Sequence, residues 1–313
     1  MPLVSVVIPS YNHEKFVSET IESVLGQDLD DLELIIVDDA STDASRQIIQ
    51  KYAAEDARVH VILHETNCGI SKTMNDGIAI AQGKFLASTA SDDVWMKDKL
   101  SKQLAVLESN EDLVVWTEAE VIDESGRPVG STFSESGAVA SAKKSGDVFH
   151  EMLNWRLPLV GSTLIYKRAN LGGILYDERL KYMNDIKIYL DLAANYEFHY
   201  IAEPLVQYRI HDSNTWGATG PQGEEKLVAY HDEILLREYI LKRYPHKMFA
   251  EAKATELERL GLLYYALGQN RKAIMSFFRA FAYAPFRKSN LKYSRHLFPV
   301  MRTFLGRGIR ERE

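Results

Sequence analysis

The first third of the chain alternates short apolar runs with amphipathic segments, and this alternation limits its fold more than any other feature. Continuous apolar runs of about four to eight residues are typical of buried strands, whereas apolar residues that recur every three or four positions indicate a helix. Strands and helices that alternate in this way predict a parallel sheet with right-handed crossovers, whose ligands bind beyond the carboxyl ends of the strands. The predicted strands are 3–8, 34–37, 59–63 and 85–87, and the predicted helices are 16–25, 41–52, 70–81 and 95–107.

Local signals mark the ends of two of these helices. Ser41 or Thr42 is expected to cap the second helix at its beginning, because short hydroxyl side chains accept hydrogen bonds from the first turn. Gly83 is expected to follow the end of the third helix as a C-terminal cap.

Composition and charge exclude several other classes of protein. With 46% hydrophobic and 26% charged residues, the chain is neither a disordered protein nor a coiled coil. Its single cysteine, Cys68, excludes an intramolecular disulfide framework and a cysteine-based zinc site. A net charge of -7 argues against a nucleic-acid partner. The apolar start at 3–8 is interpreted as a strand and not as a signal peptide, and no run approaches the roughly 20 apolar residues of a membrane span, so we expect a cytoplasmic protein.

The alternation ends near residue 120, and the remainder of the chain divides into two kinds of segment. The stretch 130–146 is rich in Ser, Ala and Gly, which predicts a loop; it either covers the ligand site or is a plain surface insertion. From residue 224 onward the pattern is helical, so we expect an α/β domain at 1–223 and a helical region at 224–313. Within that region, about 258–285 is similar to one tetratricopeptide-type hairpin, interpreted as a helical annex.

The last segment, 286–313, is strongly basic. It carries a net charge of +6, so the rest of the chain carries -13. Aromatic and leucine residues lie between its cations, which suits contact with an anionic membrane surface. A basic helix that neutralises the acidic main domain explains the same pattern, and both interpretations are open at this level.

Pairs of adjacent carboxylates follow two of the predicted strands. Asp38 and Asp39 close the second strand, and Asp92 and Asp93 follow the fourth. Adjacent like charges raise each other's pKa, so such pairs are costly without a cation. A single pair is usually a turn or a helix cap, but two pairs at corresponding strand ends favour a site for a nucleotide and a divalent ion such as Mg²⁺.

Four segments together resemble the family 2 inverting glycosyltransferases of GT-A fold. They are VSVVIPSYN (4–12), IIVDDASTD (35–43), NCGISKTMNDG (67–77) and SDD (91–93). Their order and spacing match the family, and the resemblance covers about residues 1–215. It implies a GT-A, Rossmann-like α/β domain with a mostly parallel sheet and flanking helices, followed here by the α-helical C-terminal region.

The resemblance also implies which residues bind the nucleotide. Tyr11 would stack on the nucleobase, and Asp39 would accept a hydrogen bond from an imide N–H, which suits uracil or thymine. The family often has Arg where Met74 stands, so one diphosphate contact differs here. The full set of nucleotide-binding residues implied by the resemblance is Pro9, Tyr11, Asp39, Asn67, Gly69, Lys72 and Asp92.

The metal and the base are implied in the same way. The segment 91–93 resembles the family's DxD motif, in which Asp93 would bind a divalent metal, Mn²⁺ or Mg²⁺, and Asp92 would hold the ribose or the sugar. His211 would be a further metal ligand or a diphosphate contact. Asp185, in Met183-Asn184-Asp185-Ile186, would be the general base, and Asn184 replaces the acid that usually precedes it.

We therefore expect a metal-dependent inverting glycosyltransferase of hexosyl or N-acetylhexosaminyl type. Its donor would be a nucleotide sugar, for which we expect a UDP-linked one. Its acceptor would be a glycan or a lipid-linked glycan in cell-surface polysaccharide biosynthesis. The expected location is the cytoplasm, and peripheral contact with the inner face of the membrane is left open. One alternative is a non-catalytic nucleotide-sugar-binding or scaffold protein. A nucleotidyltransferase is disfavoured, because the chain lacks a Gly- and Arg-rich loop after the first strand.

Overall fold

The computed structural model describes residues 1–132, 142, 144–157, 159–212, 214 and 222–285. The chain divides into two compact units, Met1–Gly220 and Pro221–Glu313. The basic segment 286–313 and most of the loop predicted at 130–146 lie outside the described residues. None of the described helices combines the length and the hydropathy that a bilayer span requires.

A mixed sheet forms the centre of the first unit. Its strands are β1 (Val4–Ser10), β2 (Leu32–Asp38), β3 (Val59–Leu63), β4 (Phe85–Ser88), β5 (Val94–Trp95), β6 (Val114–Ile122), β7 (Pro128–Thr132), β8 (Ile165–Lys167) and β9 (Phe198–Arg209). They lie in the order β3-β2-β1-β4-β8-β6-β9-β5, and β7 pairs with β6. The sheet and its flanking helices confirm the predicted α/β fold class.

The half of the sheet built from β1, β2, β3 and β4 is parallel. Its crossovers run through α1 (Val17–Leu25), α2 (Ser45–Glu55) and α3 (Ile70–Ile80), while α4 (Lys99–Ser109) follows β5. Val17, Ile21 and Val24 face the core from α1 at helical spacing, and each such buried side chain contributes about 1.5–3 kcal/mol. Because the strands are parallel, the loops after β1, β2 and β4 meet at one edge of the sheet.

The other half of the sheet brings distant parts of the chain to that same edge. Strand β8 is antiparallel to β4 and β6, whereas β9 runs parallel to β6. The end of β9 also pairs with β5, through Val94 with Gln207 and Trp95 with Val206. This pairing explains why Trp95, predicted to begin a helix, lies in a strand, and why α4 begins only at Lys99. Two further helices, α5 (Phe149–Leu153) and α6 (Asn184–Ala193), complete the described part of this unit.

Two of the predicted helix-end signals were wrong. Helix α2 begins at Ser45, and Ser41 instead accepts a hydrogen bond from the main-chain N–H of Asn12 at 2.9 Å. Helix α3 ends at Ile80, before Gly83. A Cβ at Gly83 would lie 2.4 Å from the main-chain nitrogen of Ser5, so glycine is needed there because the chain passes close to β1.

The second unit contains α7 (Gly223–Arg243), α8 (Ala250–Ala266) and α9 (Asn270–Tyr283). Helices α8 and α9 pack closely, since a Cβ at Gly261 would lie 2.7 Å from the ring of Phe277. A buried ion pair of Arg237 with Glu256 joins α7 to α8. The helices share a core of Ile234, Ala254, Leu257, Leu260, Leu263, Tyr264, Ala273, Phe277 and Ala280.

Candidate active site

The first part of the candidate site surrounds Asp39, directly after β2. Its carboxylate is buried, and its oxygens accept hydrogen bonds from the main-chain N–H groups of Cys68 and Gly69, both at 2.8 Å. Gly69 adopts a φ of 84°, in the left-handed region that favours glycine, and α3 begins at the next residue. Asp39 therefore fixes the loop between β3 and α3, and two of the predicted nucleotide contacts, Asp39 and Gly69, touch each other.

The other predicted nucleobase contacts lie in the neighbouring loops. The main-chain N–H of Asp39 donates to the carbonyl oxygen of Ser10 at 2.8 Å, which holds the ends of β1 and β2 together. Pro9 and Tyr11 flank Ser10, and the Tyr11 side chain is exposed. Asn67 is also exposed, in the loop after β3. An aromatic face and a carboxylate are thus available at adjacent strand ends.

A chain of polar side chains connects Asp39 with Lys72. His64 lies between two carboxylates, with Nδ1 2.8 Å from Asp39 Oδ1 and Nε2 3.0 Å from Asp76 Oδ2. The other oxygen of Asp76 forms an ion pair with Lys72 within α3. This hydrogen bond raises the pKa of the Lys72 ammonium. The structure therefore joins the predicted base contact to the predicted diphosphate contact through His64 and Asp76, neither of which the sequence pattern indicated.

The two acids after β4 have different surroundings. The carboxylate of Asp93 is buried, and it accepts a hydrogen bond at 3.1 Å from the main-chain N–H of Arg209. Its second oxygen accepts a hydrogen bond from the Ser162 hydroxyl. Burial, together with the nearby charge of Asp92, raises the pKa of Asp93. Both Asp93 oxygens are thus bound to groups inside the protein, although the resemblance implied that Asp93 is the metal ligand.

Asp92 lies next to two histidines. His211 Nε2 is 2.9 Å from Asp92 Oδ2, and the two side chains are only 2% and 8% exposed. The ring of His13 packs edge-on against that of His211, with 5.6 Å between centroids. One nitrogen of each histidine and one oxygen of Asp92 lie within 4.8 Å of one another. Carboxylate and imidazole donors suit first-row divalent ions, so these side chains fit the predicted cation.

Arg209 holds this part of the site in place. Its buried guanidinium donates to the main-chain oxygen of Asp92 at 2.8 Å and pairs with Glu19 at 2.6 Å. A third bond, at 3.2 Å, reaches the carbonyl oxygen of Glu124. Because a buried guanidinium needs all of these acceptors, Arg209 ties the end of β9 to the loop after β4 and fixes His211 beside Asp92.

Asp185, the predicted base, lies in the first turn of α6. Burial raises the pKa of its carboxyl group from 3.8 to about 6. The charge of Asp185 in turn helps to raise the pKa values of Tyr176 and Tyr189. A Cβ at Gly161 would lie 2.6 Å from the Tyr189 hydroxyl, so the absence of a side chain there lets Tyr189 approach. A carboxylate of raised pKa in apolar surroundings is suited to accepting a proton near neutral pH.

Tyr208 lies on β9, and the charges of three acids of the site act on it. Burial and the negative charges of Asp93, Asp92 and Asp185 raise the pKa of Tyr208 to about 12. Its phenol is therefore within electrostatic reach of the strand-end acids and of the predicted base. The two groups of acids that the sequence separates by about ninety residues accordingly belong to one region of the fold.

Besides Asp76, sequence reasoning missed three residues of this region. His13 directly follows the Tyr11-Asn12 motif, and His64 precedes Asn67 by three positions. Arg209 precedes His211, which the resemblance had indicated, by two positions. Proximity to a motif was the available signal, but the partner of each residue lies elsewhere in the chain and could not be identified from spacing.

Comparison with known proteins places this arrangement among sugar-transferring enzymes. A family model described as Glycosyl transferase family 2 matches residues 5–149. An uncharacterised glycosyltransferase of Methanocaldococcus jannaschii is 32% identical over 234 residues, which are 74% of this chain and 78% of that protein. The putative teichuronic acid biosynthesis glycosyltransferase TuaG of Bacillus subtilis is 41% identical over 128 residues, 41% of this chain. That match spans 51% of TuaG, about half of its length.

Solved structures share the fold at low sequence identity. Residues 1–349 of S. aureus TarS in complex with UDP-GlcNAc superpose with a TM-score of 0.66 at 22% identity, covering 90% of this chain and 81% of that chain. A longer TarS structure is matched over 50% of its length. The mannosyltransferase PcManGT from Pyrobaculum calidifontis, in complex with GDP-Man and Mn²⁺, gives a TM-score of 0.56 at 14% identity, covering 90% of this chain and 74% of that chain.

Proposed function

Because the chain belongs to glycosyl transferase family 2, it is a glycosyltransferase, and we propose that it transfers a sugar from a UDP-linked donor to a glycan hydroxyl with inversion. The observation that carries this proposal is the contact of His211 with Asp92 at 2.9 Å, with a nitrogen of His13 close to both. These donors suit a divalent cation and the diphosphate end of the donor, and Asp185 is the base proposed for the same region. The complex of TarS with UDP-GlcNAc supports the choice of a UDP-linked donor.

In this proposal the nucleobase lies at the ends of β1 and β2. Uracil stacks on Tyr11, and its imide N–H donates to Asp39, whose carboxylate is held by the main-chain N–H groups of Cys68 and Gly69. Pro9 and Asn67 border the base, and Lys72 turns from Asp76 to the diphosphate. A base without an imide N–H could not donate to Asp39, which favours uracil over cytosine.

The diphosphate lies at Asp92 and His211. We assign the metal contact to Asp92 in place of Asp93, because both Asp93 oxygens have partners inside the protein. A divalent cation held there would stabilise the charge that develops on the leaving UDP. The Mn²⁺ complex of PcManGT supports a metal-dependent reaction in this fold.

Asp185 acts as the base. It takes the proton of the acceptor hydroxyl as that oxygen attacks the anomeric carbon, and UDP leaves from the opposite face with the bonding electrons. Positioned general bases contribute about 10² to 10⁴ in rate. A pKa of about 6 leaves Asp185 mostly ionised at neutral pH, while it remains a stronger base than an exposed aspartate.

The acceptor is a glycan or a lipid-linked glycan of a cell-surface polysaccharide. The name of TuaG, a relative in teichuronic acid biosynthesis, supports an acceptor of this class. The basic segment 286–313, with its net charge of +6, would bring the enzyme to an anionic membrane surface where such lipids lie.

The experiment that tests the proposed function is a calorimetric titration of UDP, GDP and dTDP, with and without Mn²⁺. We expect UDP to bind and Mn²⁺ to strengthen the binding. The release of UDP from UDP-GlcNAc is then followed with candidate acceptors, and NMR of the product reports whether the anomeric configuration is inverted. Failure of all three nucleotides to bind, or preferential binding of GDP, would overturn the assignment of the donor.

A further inference from the structure

His13 is fixed in the turn that follows β1, beside the proposed metal contacts. Asn12 adopts a φ of 52°, and the turn is held because the main-chain N–H of His13 donates to Ser45 Oγ at 3.0 Å. The ring is fixed as well. Its Nδ1 lies 2.7 Å from Ser91 Oγ, and its edge packs against the ring of Phe16 with 6.0 Å between centroids. Contacts with Ser45, Ser91 and Phe16 therefore hold the His13 imidazole in one position.

That place is the cluster of Asp92 and His211. One nitrogen of His13 lies within 4.8 Å of both the Asp92 oxygen and the His211 nitrogen. Asp92 and His211 are already in contact, and His13 supplies the third donor atom of the cluster. A single ion between the three would replace the contact between Asp92 and His211 and would relieve the crowding of two imidazoles. The fit rests on three donors from three separate loops, not on acidic residues alone.

We propose that His13 is a third protein ligand of the divalent cation held by Asp92 and His211, and that it makes the site prefer Mn²⁺ to Mg²⁺. The inference rests on the proposed function, which supplies the cation and the diphosphate. Two imidazoles and one carboxylate are a donor set for Mn²⁺, Co²⁺ or Zn²⁺, whereas Mg²⁺ prefers oxygen donors and retained water. The diphosphate oxygens of the donor would then supply the remaining ligands.

The test measures metal binding directly. The signal of free Mn²⁺ in electron paramagnetic resonance disappears on binding, so titration of the full chain with UDP present gives the Mn²⁺ affinity, and competition gives that for Mg²⁺. His13→Ala and His13→Gln should weaken Mn²⁺ binding by at least about tenfold. Both should also reduce the preference for Mn²⁺ over Mg²⁺. His60→Ala, which removes a half-exposed imidazole on β3, is the matched control and should leave both quantities unchanged.

Two further measurements separate ligation from a purely structural role. His13→Asp should restore cation binding with a preference shifted toward Mg²⁺, because it returns a donor atom but replaces nitrogen by oxygen. Binding of UDP in the presence of a chelator should be the same for wild type and His13→Ala, since no metal is involved. A structural role predicts the opposite: lost metal-free binding and no recovery in His13→Asp.

The outcomes distinguish this inference from the proposed function. If wild type binds Mn²⁺ and His13→Ala binds it equally well with the same Mn²⁺ to Mg²⁺ ratio, His13 is not a ligand, and the proposed function stands. If wild type binds no Mn²⁺ with UDP present, the metal-dependent reaction itself fails, and this inference fails with it.

Discussion

His64 and Asp39 are joined by a hydrogen bond of 2.8 Å between Nδ1 and Oδ1, while the other ring nitrogen of His64 faces Asp76. The imidazole therefore bridges the carboxylates of Asp39 and Asp76. His64 thus positions the carboxylate that we propose reads the nucleobase, without touching the nucleotide.

We expect His64→Ala to weaken binding of UDP by about tenfold, or about 1.4 kcal/mol, because Asp39 loses a charge-assisted partner. Calorimetry with uridine as well as UDP checks this result, since both ligands carry the base. His60→Ala, on β3, the strand that His64 directly follows, serves as the control. Equal loss of affinity in both variants, or no loss in His64→Ala, would contradict the positioning role.

The second prediction concerns the two acids after β4. Asp92→Asn should abolish the strengthening of UDP binding by Mn²⁺, because an amide is a poor ligand for the cation. Asp93→Asn should retain it, since an amide oxygen can still accept from Arg209 and its NH₂ group can donate to Ser162. Calorimetric titration of both variants with and without Mn²⁺ decides the matter. The reverse pattern would return the metal contact to Asp93.

The third prediction is that Asp185→Asn lowers the turnover of the donor by about 10² to 10⁴ while UDP binding stays near that of wild type. Since the pKa of Asp185 is about 6, wild-type turnover should also fall as the pH drops below 6 and the base becomes protonated. Initial rates across pH 5 to 8, set as experimental conditions, measure both effects. Glu178→Gln, a change of an exposed acid nearby, should keep normal rates. Unchanged turnover in Asp185→Asn would remove it as the base.

The same substitution should stabilise the fold. Burial raises the pKa of Asp185 from 3.8 to about 6, so the folded state disfavours the ionised form. The penalty is absent below the lower pKa, grows as the pH rises toward 6, and is constant above it. Asp185→Asn should therefore increase the free energy of unfolding by about 1–3 kcal/mol at pH 7 and by little near pH 4. Urea unfolding at both pH values tests this; an equal change at both would show that the burial of charge is not the cause.

The fifth prediction concerns the basic segment. Removal of residues 286–313 should reduce binding to vesicles that contain anionic lipid, because each cation near such a surface contributes about 1 kcal/mol. Co-sedimentation measures the bound fraction, and vesicles of neutral phosphatidylcholine are the control. If the shortened chain binds anionic vesicles as well as the full chain does, the segment serves another purpose, such as neutralising the acidic main domain.

The parallel half of the fold could be derived from the sequence because its signals are local. The apolar runs that became β1, β2 and β3 are bounded by turn residues, and the helix between Ile70 and Ile80 agrees with its expected range to within one residue. From parallel strands it follows that Asp39 and Asp92 lie at the same edge. No property of distant parts of the chain was needed for that conclusion.

The rest depends on contacts between distant segments. The sequence pattern predicts that a helix begins at Trp95, but pairing with β9 gives this residue a strand conformation. The surroundings of Asp93 depend on Ser162 and Arg209, which lie about seventy and more than a hundred residues farther along the chain. Likewise, nothing in the spacing of His13 and His211 could predict that their rings meet. Such contacts are decided by packing and not by periodicity.

The position of β9 has a consequence for the order in which the enzyme can assemble during synthesis. The strands that carry the proposed nucleobase contacts all lie within the first 88 residues. The proposed metal site requires His211, on a segment that must pair with β6 and β5 after more than a hundred further residues. All residues of the proposed nucleobase surface are therefore synthesised well before the last residue of the proposed metal site. Catalytic competence arrives only when its last strand closes the sheet.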